Sequence, residues 1–325
     1  MIAIVLIAIA AGAASALMFA SIVSGALISL VLFYLAPLPL MVAALGWGPL
    51  SATIDGIAAA TGLGAIFGLP YCIAFVLTIA LPAWWLGHLA LLGRPVADGA
   101  ATGNGASPPV APVMEWYPVG RILLWVAGFA ALTTTAALLT LGSDAATITG
   151  ALRRGLLRII GPRSTTSTGV NEQWIDALVT IAPVAAAIVA MMTLTLNLWL
   201  AARITATSGR LHRPWPDLKA VALPPMTLAA LCVAIAFSFS SGLLAILSQI
   251  VTAALMMAYA LTGFAVLHML TSAWKSRGLW LSCTYAIVLV FGWPILAMVA
   301  LGLADAIFGL RKRYLERRPP PIPAS

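Results

Sequence analysis

Long apolar runs separated by short polar segments dominate the hydrophobicity pattern of this chain. The clearest run covers residues 177–200, has isolated threonines and one asparagine as its polar residues, and is followed by a basic loop that contains Arg203 and Lys219. An apolar run of about 20 residues is long enough to cross a hydrocarbon core of ~30 Å as a helix. Basic loops normally remain on the cytoplasmic side. The pattern therefore predicts a membrane crossing whose C-terminal end lies in the cytoplasm.

The other apolar runs predict an all-α fold, a polytopic helical membrane bundle of about 8–10 transmembrane helices. They cover residues 2–20, 22–45, 50–67, 71–92, 122–141, 225–239 and 243–270. We expect the run 243–270 to break near Thr262 and Gly263. A last run, 279–310, would extend about 48 Å as one helix, and it has Gly292-Trp293-Pro294 near its middle. We therefore expect two short helices in this run.

Loop composition divides the chain. Residues 93–118 consist mainly of Ala, Gly, Ser, Pro and Asn, and such a composition buries too little apolar surface to order itself. We predict N-terminal transmembrane helices over 1–92, a flexible loop over 93–118, C-terminal transmembrane helices over 119–310 and a basic cytoplasmic tail over 311–325. Between 147 and 160, leucine and isoleucine are interleaved with arginine, which predicts an interfacial amphipathic helix.

Composition excludes several classes of protein. Hydrophobic residues make up 62% of the chain and charged residues 8%, whereas a soluble domain is about a quarter charged. The 17 Lys and Arg outnumber the 9 Asp and Glu, and they lie in loops and in the tail. This favours membrane lipids as partners over nucleic acid, and the bacterial cytoplasmic (inner) membrane as the location.

Catalytic and metal-binding motifs are missing from the sequence. The three cysteines, Cys72, Cys232 and Cys283, are far apart and have no Cys-x-x-Cys or Cys/His spacing, so neither a zinc site nor a disulfide framework is indicated. No Gly-x-Ser-x-Gly, His-Glu-x-x-His or phosphate-loop motif occurs. We expect no cofactor, no metal and no enzymatic activity.

A few polar side chains lie inside the predicted membrane segments. Asp55 is the only charged residue among the first 93, and an ionisable group within a membrane segment is by default a functional hypothesis. The alternative is that Asp55 reaches the headgroup region from its position two turns beyond a predicted turn. Asn197, Gln249 and His268 are the other candidates. Together with Asp55 they would line a small-solute pocket among broken helices, or each is a structural or interfacial group.

The first segment has a face of small residues. Ala8, Gly12, Ala16 and Ala20 recur every four positions and share one side of a helix. In lipid such a face allows close approach of another helix. This face either packs against a neighbouring helix of the same chain or docks another protein, and both interpretations remain open.

Five segments carry a resemblance to a known family. They are Asn197-Leu-Trp-Leu-Ala-Ala-Arg203, Gly209-Arg-Leu-His-Arg213-Pro-Trp-Pro-Asp217-Leu, Pro224, Tyr259-Ala-Leu-Thr-Gly-Phe-Ala-Val266 and Leu301-Gly-Leu-Ala-Asp305-Ala-Ile-Phe-Gly-Leu-Arg311. In this order they resemble an uncharacterised bacterial family of predicted polytopic membrane proteins. That family is distantly similar to the substrate-binding S components of energy-coupling-factor vitamin transporters.

The resemblance implies a helical bundle that captures a small molecule, with energy supplied by a coupling membrane subunit and ATPases. S components dock on the coupling subunit through a small-residue face on an early helix, as Ala8, Gly12, Ala16 and Ala20 would form. They are shorter than this chain and have fewer crossings. Two functions follow from the sequence: a small-molecule-binding subunit of a transporter, or a non-transporting scaffold or accessory protein. A membrane enzyme is a more distant alternative.

Overall fold

The computed structural model describes residues 2–96, 113–160, 170–218 and 221–316, and these ranges are almost entirely helical. The first helices are α1 (Ile2–Ala20), α2 (Leu27–Leu35), α3 (Pro37–Trp47), α4 (Pro49–Phe67), α5 (Leu69–Phe75) and α6 (Leu81–Leu91), with a π-helical turn at Val76–Ala80. The later helices are α7 (Val119–Leu139), α8 (Ala145–Ile160), α9 (Val170–Thr207), α10 (Met226–Ser238), α11 (Gly242–Leu270), α12 (Arg277–Phe291), α13 (Ile295–Phe308) and α14 (Leu310–Glu316).

Seven apolar helical stretches in the described ranges are long enough to cross a membrane, so the all-α polytopic fold is confirmed. They are Ile2–Ser24, Leu27–Trp47, Pro49–Phe67, Leu69–Leu91, Val119–Leu139, Glu172–Thr207 and Gly242–Leu270. The three shorter apolar helices are α10, α12 and α13. The expected number of eight to ten crossings requires that at least one of these three shorter helices also crosses the membrane.

Glycine and proline set most of the helix ends. Gly48 and Gly68 have φ values of 92° and 91°, which a residue with a Cβ rarely adopts. The following helices then begin with proline in their first turn, where its missing N–H costs nothing. The run 279–310 is two helices separated at Gly292, as expected.

One expectation about local structure was wrong, and a second was wrong at the two ends of its segment. The predicted break at Thr262 and Gly263 does not occur, because α11 continues without interruption to Leu270. The predicted flexible loop 93–118 contains a β-hairpin in which β1 (Gly93–Val96) pairs antiparallel with β2 (Val113–Trp116). The remainder of that loop, 97–112, and the end of the basic tail, 317–325, lie outside the described residues.

The chain forms two compact units that share α7 and α9. The first unit contains residues 1–122 and 193–216, and in it α1 packs against α3 and α4 while α3 packs against α6. Its core consists mainly of alanine, leucine and phenylalanine side chains. Small side chains allow helices to approach closely where no hydrophobic effect drives association.

The second unit contains residues 123–192 and 217–325. In this unit α11 packs against both α10 and α13. The crossing of α11 and α13 brings backbones together, because a Cβ on Gly263 would collide with the carbonyl oxygen of Met298 and one on Gly302 with that of Tyr259. The helix predicted at 147–160 is present as α8, and its Ile148 is fully buried. Its location at a membrane interface stays a prediction.

Candidate functional site

Asp55 is a fully buried carboxylic acid near the centre of the first unit. It lies in the second turn of α4, at the point where α1 crosses that helix most closely, since a Cβ on Gly12 would be 2.5 Å from the carbonyl oxygen of Asp55. Its side chain is 0% exposed, and no described side chain donates a hydrogen bond to either carboxyl oxygen. The one donor that acts on the carboxyl group is the backbone N–H of the next residue, Gly56. The side chain is therefore enclosed by protein, and the depth of Asp55 in the membrane stays a prediction.

The helices around α4 do not supply a cation for this carboxylate. No titratable side chain occurs on α1, α3 or the π-helical turn, which pack against α4. On α5 and α6 the titratable groups are Tyr71, Cys72 and His88. Cys72 contacts Gly64, nine positions or about 13 Å along the helix axis from Asp55.

The two aromatic titratable groups are also remote. Tyr71 packs on Phe67, twelve positions or about 18 Å from Asp55 along the axis of α4. The residue after Asp55, Gly56, faces Ala80, and His88 is eight positions or about 12 Å beyond Ala80. The described helices that pack against α4 therefore supply no cation near Asp55.

The small-residue face of α1 is mainly an internal packing surface. Ala8 and Gly12 are buried within the first unit, whereas Ala16 and Ala20 are partly exposed. The expectation of a docking face for another protein is therefore wrong at Ala8 and Gly12. The physical reason is the close approach of α4, whose backbone at Asp55 occupies the space that a side chain at Gly12 would need.

Asn197 is a structural anchor in the same unit. It lies on the C-terminal half of α9 with 1% of its surface exposed. Its Nδ2 donates to the carbonyl oxygen of Tyr34 at 2.8 Å and to that of Thr193 at 2.8 Å. The side chain thus ties α9 to the end of α2, although its Oδ1 has no partner.

Gln249 and His268 both lie on α11 in the second unit, and they do not share a small-solute pocket. They are nineteen positions apart, which is about 28 Å along a helix. His268 Nδ1 lies 3.0 Å from the carbonyl oxygen of Phe264, and its Nε2 lies 3.5 Å from the hydroxyl of Tyr285. Gln249 is partly exposed. The structure therefore does not bring the four predicted pocket residues into one cavity.

A small cleft is present elsewhere in the second unit. Its volume is about 250 Å³. The lining residues come from the segment before α10, from the first turn of α10, from α11 and from the end of α13 with the start of α14: Ala222, Leu223, Pro224, Pro225, Leu228, Tyr259, Thr262, Gly302, Asp305, Ala306 and Arg311. Three of the five segments that carry the family resemblance meet at this cleft, namely those at Pro224, at Tyr259 and at Asp305.

The polar groups of the cleft are occupied by one another. Asp305 accepts from the Arg311 backbone N–H at 2.9 Å and from its Nε at 2.8 Å, and the pair is closed by a 2.6 Å contact to Nη2. Arg311 Nη1 also donates to the carbonyl oxygen of Val221 at 2.7 Å. Both side chains are about nine-tenths buried. Arg311, which the sequence assigns to the basic tail, is therefore part of the folded second unit.

The sequence analysis placed Asp305 and Arg311 in one of the five resemblance segments but did not predict that they form a pair. The available signal was the spacing Asp305-x₃-Gly309-x-Arg311, in which a glycine with φ 60° turns the chain so that acid and arginine meet. The described residues contain no group of three His, Cys, Asp or Glu side chains arranged to hold a metal ion.

Residues 161–306, which are 146 of the 325 residues, match the family model described as "Predicted membrane protein (DUF2232)". This range covers α9 to α12 and most of α13. No curated protein and no solved structure matches the chain. The match agrees with the resemblance to predicted polytopic membrane proteins, whereas no comparison supports its extension to S components. Over this range the chain is similar to a family of predicted membrane proteins, and its apolar helices make it an integral membrane protein.

Proposed function

We propose that this integral membrane protein is of transporter type and that Asp55 binds and releases a small positive charge, either a proton or a monovalent cation. The single observation that carries the proposal is the complete burial of the Asp55 carboxyl group with no hydrogen bond from any described side chain. Acidic groups in membrane segments are expensive, and they mark ion or proton pathways more often than they serve packing.

The chemistry follows from the surroundings of the carboxyl group. An ionised carboxylate that is buried without a partner costs many kcal/mol, so the group persists only when a positive charge neutralises it. The nearest titratable groups on the helices packed against α4 are about 12 Å or more away along the helix axes. The neutralising charge therefore comes from outside the protein, and its binding and release change the electrostatics of the α1–α4 crossing.

Two buried hydroxyl groups close to this crossing have hydrogen-bond partners inside the unit. Ser15 on α1 donates to the carbonyl oxygen of Ala36 at 2.6 Å, and Ser51 on α4 donates to that of Ala43 at 2.9 Å. These hydroxyls serve packing because their hydrogen-bonding capacity is used inside the protein. Asp55 is the charged exception.

A location in the bacterial cytoplasmic membrane, with the basic end of α9 in the cytoplasm, fits this proposal. A small solute carried with the charge fits the 250 Å³ cleft of the second unit by size.

A coupling subunit with ATPases stays a prediction of the resemblance. Its expected docking face is already covered at Ala8 and Gly12. A scaffold or accessory role is the alternative, and it requires no exchangeable charge at Asp55.

The test is charge displacement measured on purified protein in liposomes adsorbed to a solid-supported membrane. We expect a step in pH or in Na⁺ concentration to give a transient current with the wild type, and the current to vanish with Asp55→Asn, which keeps the shape of the side chain but cannot ionise. Asp176→Asn is the matched control, because Asp176 is exposed and pairs with Arg153 on the surface.

Each outcome decides the matter. A current that is lost in Asp55→Asn and kept in Asp176→Asn supports charge binding at Asp55, and the ion used in the step identifies the charge. No current from the folded wild type under either step, or an unchanged current from Asp55→Asn, contradicts the proposal and leaves the scaffold role.

A further inference from the structure

Three arginine side chains lie over tryptophan rings at one end of the first unit. The Cζ of Arg210 is 4.7 Å from the ring centroid of Trp47, and that of Arg203 is 5.2 Å from Trp215. The Cζ of Arg213 is 6.0 Å from the Trp116 ring. Such contacts hold a cation over an aromatic face without neutralising its charge.

The end of α9 fixes the position of Arg210. Gly209 has φ 67°, the Arg210 N–H donates to the carbonyl oxygen of Thr205 at 2.9 Å, and the Gly209 N–H donates to that of Ala206 at 3.1 Å. These two bonds form a Schellman cap, which needs a left-handed residue at the position of Gly209. The Arg210 side chain then extends beside Gly46, whose added Cβ would be 3.8 Å from the Arg210 Cβ.

Arg213 has a structural role at this end. Its guanidinium donates to the carbonyl oxygens of Ala90 at 3.1 Å and Tyr117 at 2.9 Å, so it ties the end of α6 to the start of α7. Burial lowers the pKa of Arg213, but a guanidinium remains protonated in proteins. Its donors are therefore used inside the unit.

Arg203 and Arg210 differ from Arg213 because their donors are unused. Both side chains are exposed, and within the described part of the chain neither has a hydrogen bond or an ion pair. The acid of the adjacent hairpin, Glu115, is already paired with Arg94 at 2.7 Å. Each guanidinium has five N–H donors in a fixed plane, an arrangement that suits the oxygens of a phosphate.

The depth of these residues in the membrane identifies the phosphate. Trp47 is the last residue of the crossing Leu27–Trp47, and Arg203 lies four residues before the end of the crossing Glu172–Thr207. Tryptophan is enriched at the level of lipid headgroups. The anion that occurs at this level in every leaflet is the phosphate of a lipid headgroup, and anionic lipids attract basic juxtamembrane segments.

We propose that Arg203 and Arg210, each supported by a tryptophan ring, form a binding site for the phosphate of an anionic phospholipid. The site, which we call the arginine–tryptophan site, consists of Trp47, Arg203, Arg210 and Trp215. The site does not involve Asp55, so the test of lipid binding is independent of the test of charge binding.

The test is native mass spectrometry of the full chain released from nanodiscs that contain phosphatidylcholine and phosphatidylglycerol. The wild type is expected to retain phosphatidylglycerol in preference to phosphatidylcholine. The double variant Arg203→Gln/Arg210→Gln is expected to lose at least about tenfold in this preference, because it removes charge-assisted hydrogen bonds to the phosphate in addition to the general attraction of two positive charges.

A matched control separates a site from general attraction to positive charge. Arg154→Gln/Arg158→Gln removes the same charge from two exposed arginines of α8 that have no aromatic partner in the described residues. It is expected to leave the preference within about twofold of the wild type, because the arginine–tryptophan site is intact. A second variant, Trp47→Leu/Trp215→Leu, keeps both charges and is expected to weaken the preference about fivefold, because it removes both cation–π contacts that hold the guanidinium groups in place.

Three results would overturn the proposal. One is an unchanged phosphatidylglycerol preference in a folded Arg203→Gln/Arg210→Gln protein. Another is an equal loss in the α8 control, which means that net charge alone attracts the lipid. The third is saturation of the site by soluble glycerol 3-phosphate in detergent with the affinity of the lipid, which means that the ligand is a soluble organic phosphate.

Discussion

Replacing Gly12 with alanine tests the packing that surrounds Asp55. The added methyl group would lie 2.5 Å from the Asp55 carbonyl oxygen, 3.1 Å from its carbonyl carbon and 3.2 Å from its Cα. All three atoms belong to the backbone of α4, so no flexible side chain can move aside. The contact is relieved only when α1 and α4 move apart.

The required movement sets the magnitude of the effect. Restoring an ordinary contact of 3.4 Å requires about 0.9 Å of separation, and a gap of 0.5–1 Å forfeits a quarter to a half of the dispersion energy of each facing atom pair. Ala8, which is fully buried on the same face of α1, would lose part of its packing as well. We expect Gly12→Ala to lower the free energy of unfolding by about 1–3 kcal/mol, the usual cost of overpacking.

The assay is thermal unfolding of the purified protein in detergent, followed by tryptophan fluorescence. Gly62→Ala is the matched control, because Gly62 lies on α4 in the same unit and has no neighbouring atom within 4 Å of an added Cβ. The control should be neutral or more stable by up to about 1 kcal/mol, since alanine is the better helix former. A Gly12→Ala protein that unfolds at the wild-type temperature would refute internal packing and restore the docking interpretation of this face.

Three further predictions follow from buried or capped groups. Gly302→Ala should be more destabilising than Gly12→Ala in the same thermal assay, because its Cβ would collide with a backbone carbonyl of α11, whereas Gly128→Ala on α7 meets no atom within 4 Å and should be tolerated. The backbone N–H and hydroxyl of Thr147 hold the pKa of Asp144 below its ordinary value of 3.8. The Asp144 cap of α8 is therefore fully stabilising above pH 3.8, and its contribution is lost as the pH falls through the lowered pKa. Amide hydrogen exchange at the start of α8 should show this loss, and Asp144→Asn should remove the pH dependence. Asn197→Leu should cost about 1–3 kcal/mol in thermal unfolding, because a buried carbonyl loses its donor.

The membrane helices were predictable because their boundaries depend on local sequence. Segment one was expected at residues 2–20, and α1 occupies Ile2–Ala20. The expected start of the third segment at residue 50 differs by one from the start of α4 at Pro49. Glycine and proline act through their own backbone, so one sequence suffices to find these ends. The hairpin was missed because its two strands have four residues each and stand in a segment of loop composition.

The partners of the polar residues were not predictable, because they depend on which helices meet. Gln249 and His268 share a helix but not a cavity, which follows from their spacing once α11 is known to be continuous. The close approach of Gly12 to Asp55 joins residues 43 positions apart, and no local pattern encodes it. Small residues at intervals of four indicate that a face packs closely, but they do not say against which helix.

Asp55 and Asp305 are the two most buried acids of the described chain, and they differ in whether a partner neutralises the carboxylate. This difference is why we propose a function for Asp55 alone. Asp305 is bound by the backbone and guanidinium of Arg311, so its charge is neutralised within the fold and stabilises the corner between α13 and α14. Removing the Arg311 side chain would leave the Asp305 carboxylate buried without a partner, which would strongly destabilise the fold. Asp55 has the opposite arrangement, since it is more deeply buried and no described side chain donates a hydrogen bond to it. Burial without compensation weakens a fold, and this cost is the physical reason for the proposal that Asp55 binds an external charge.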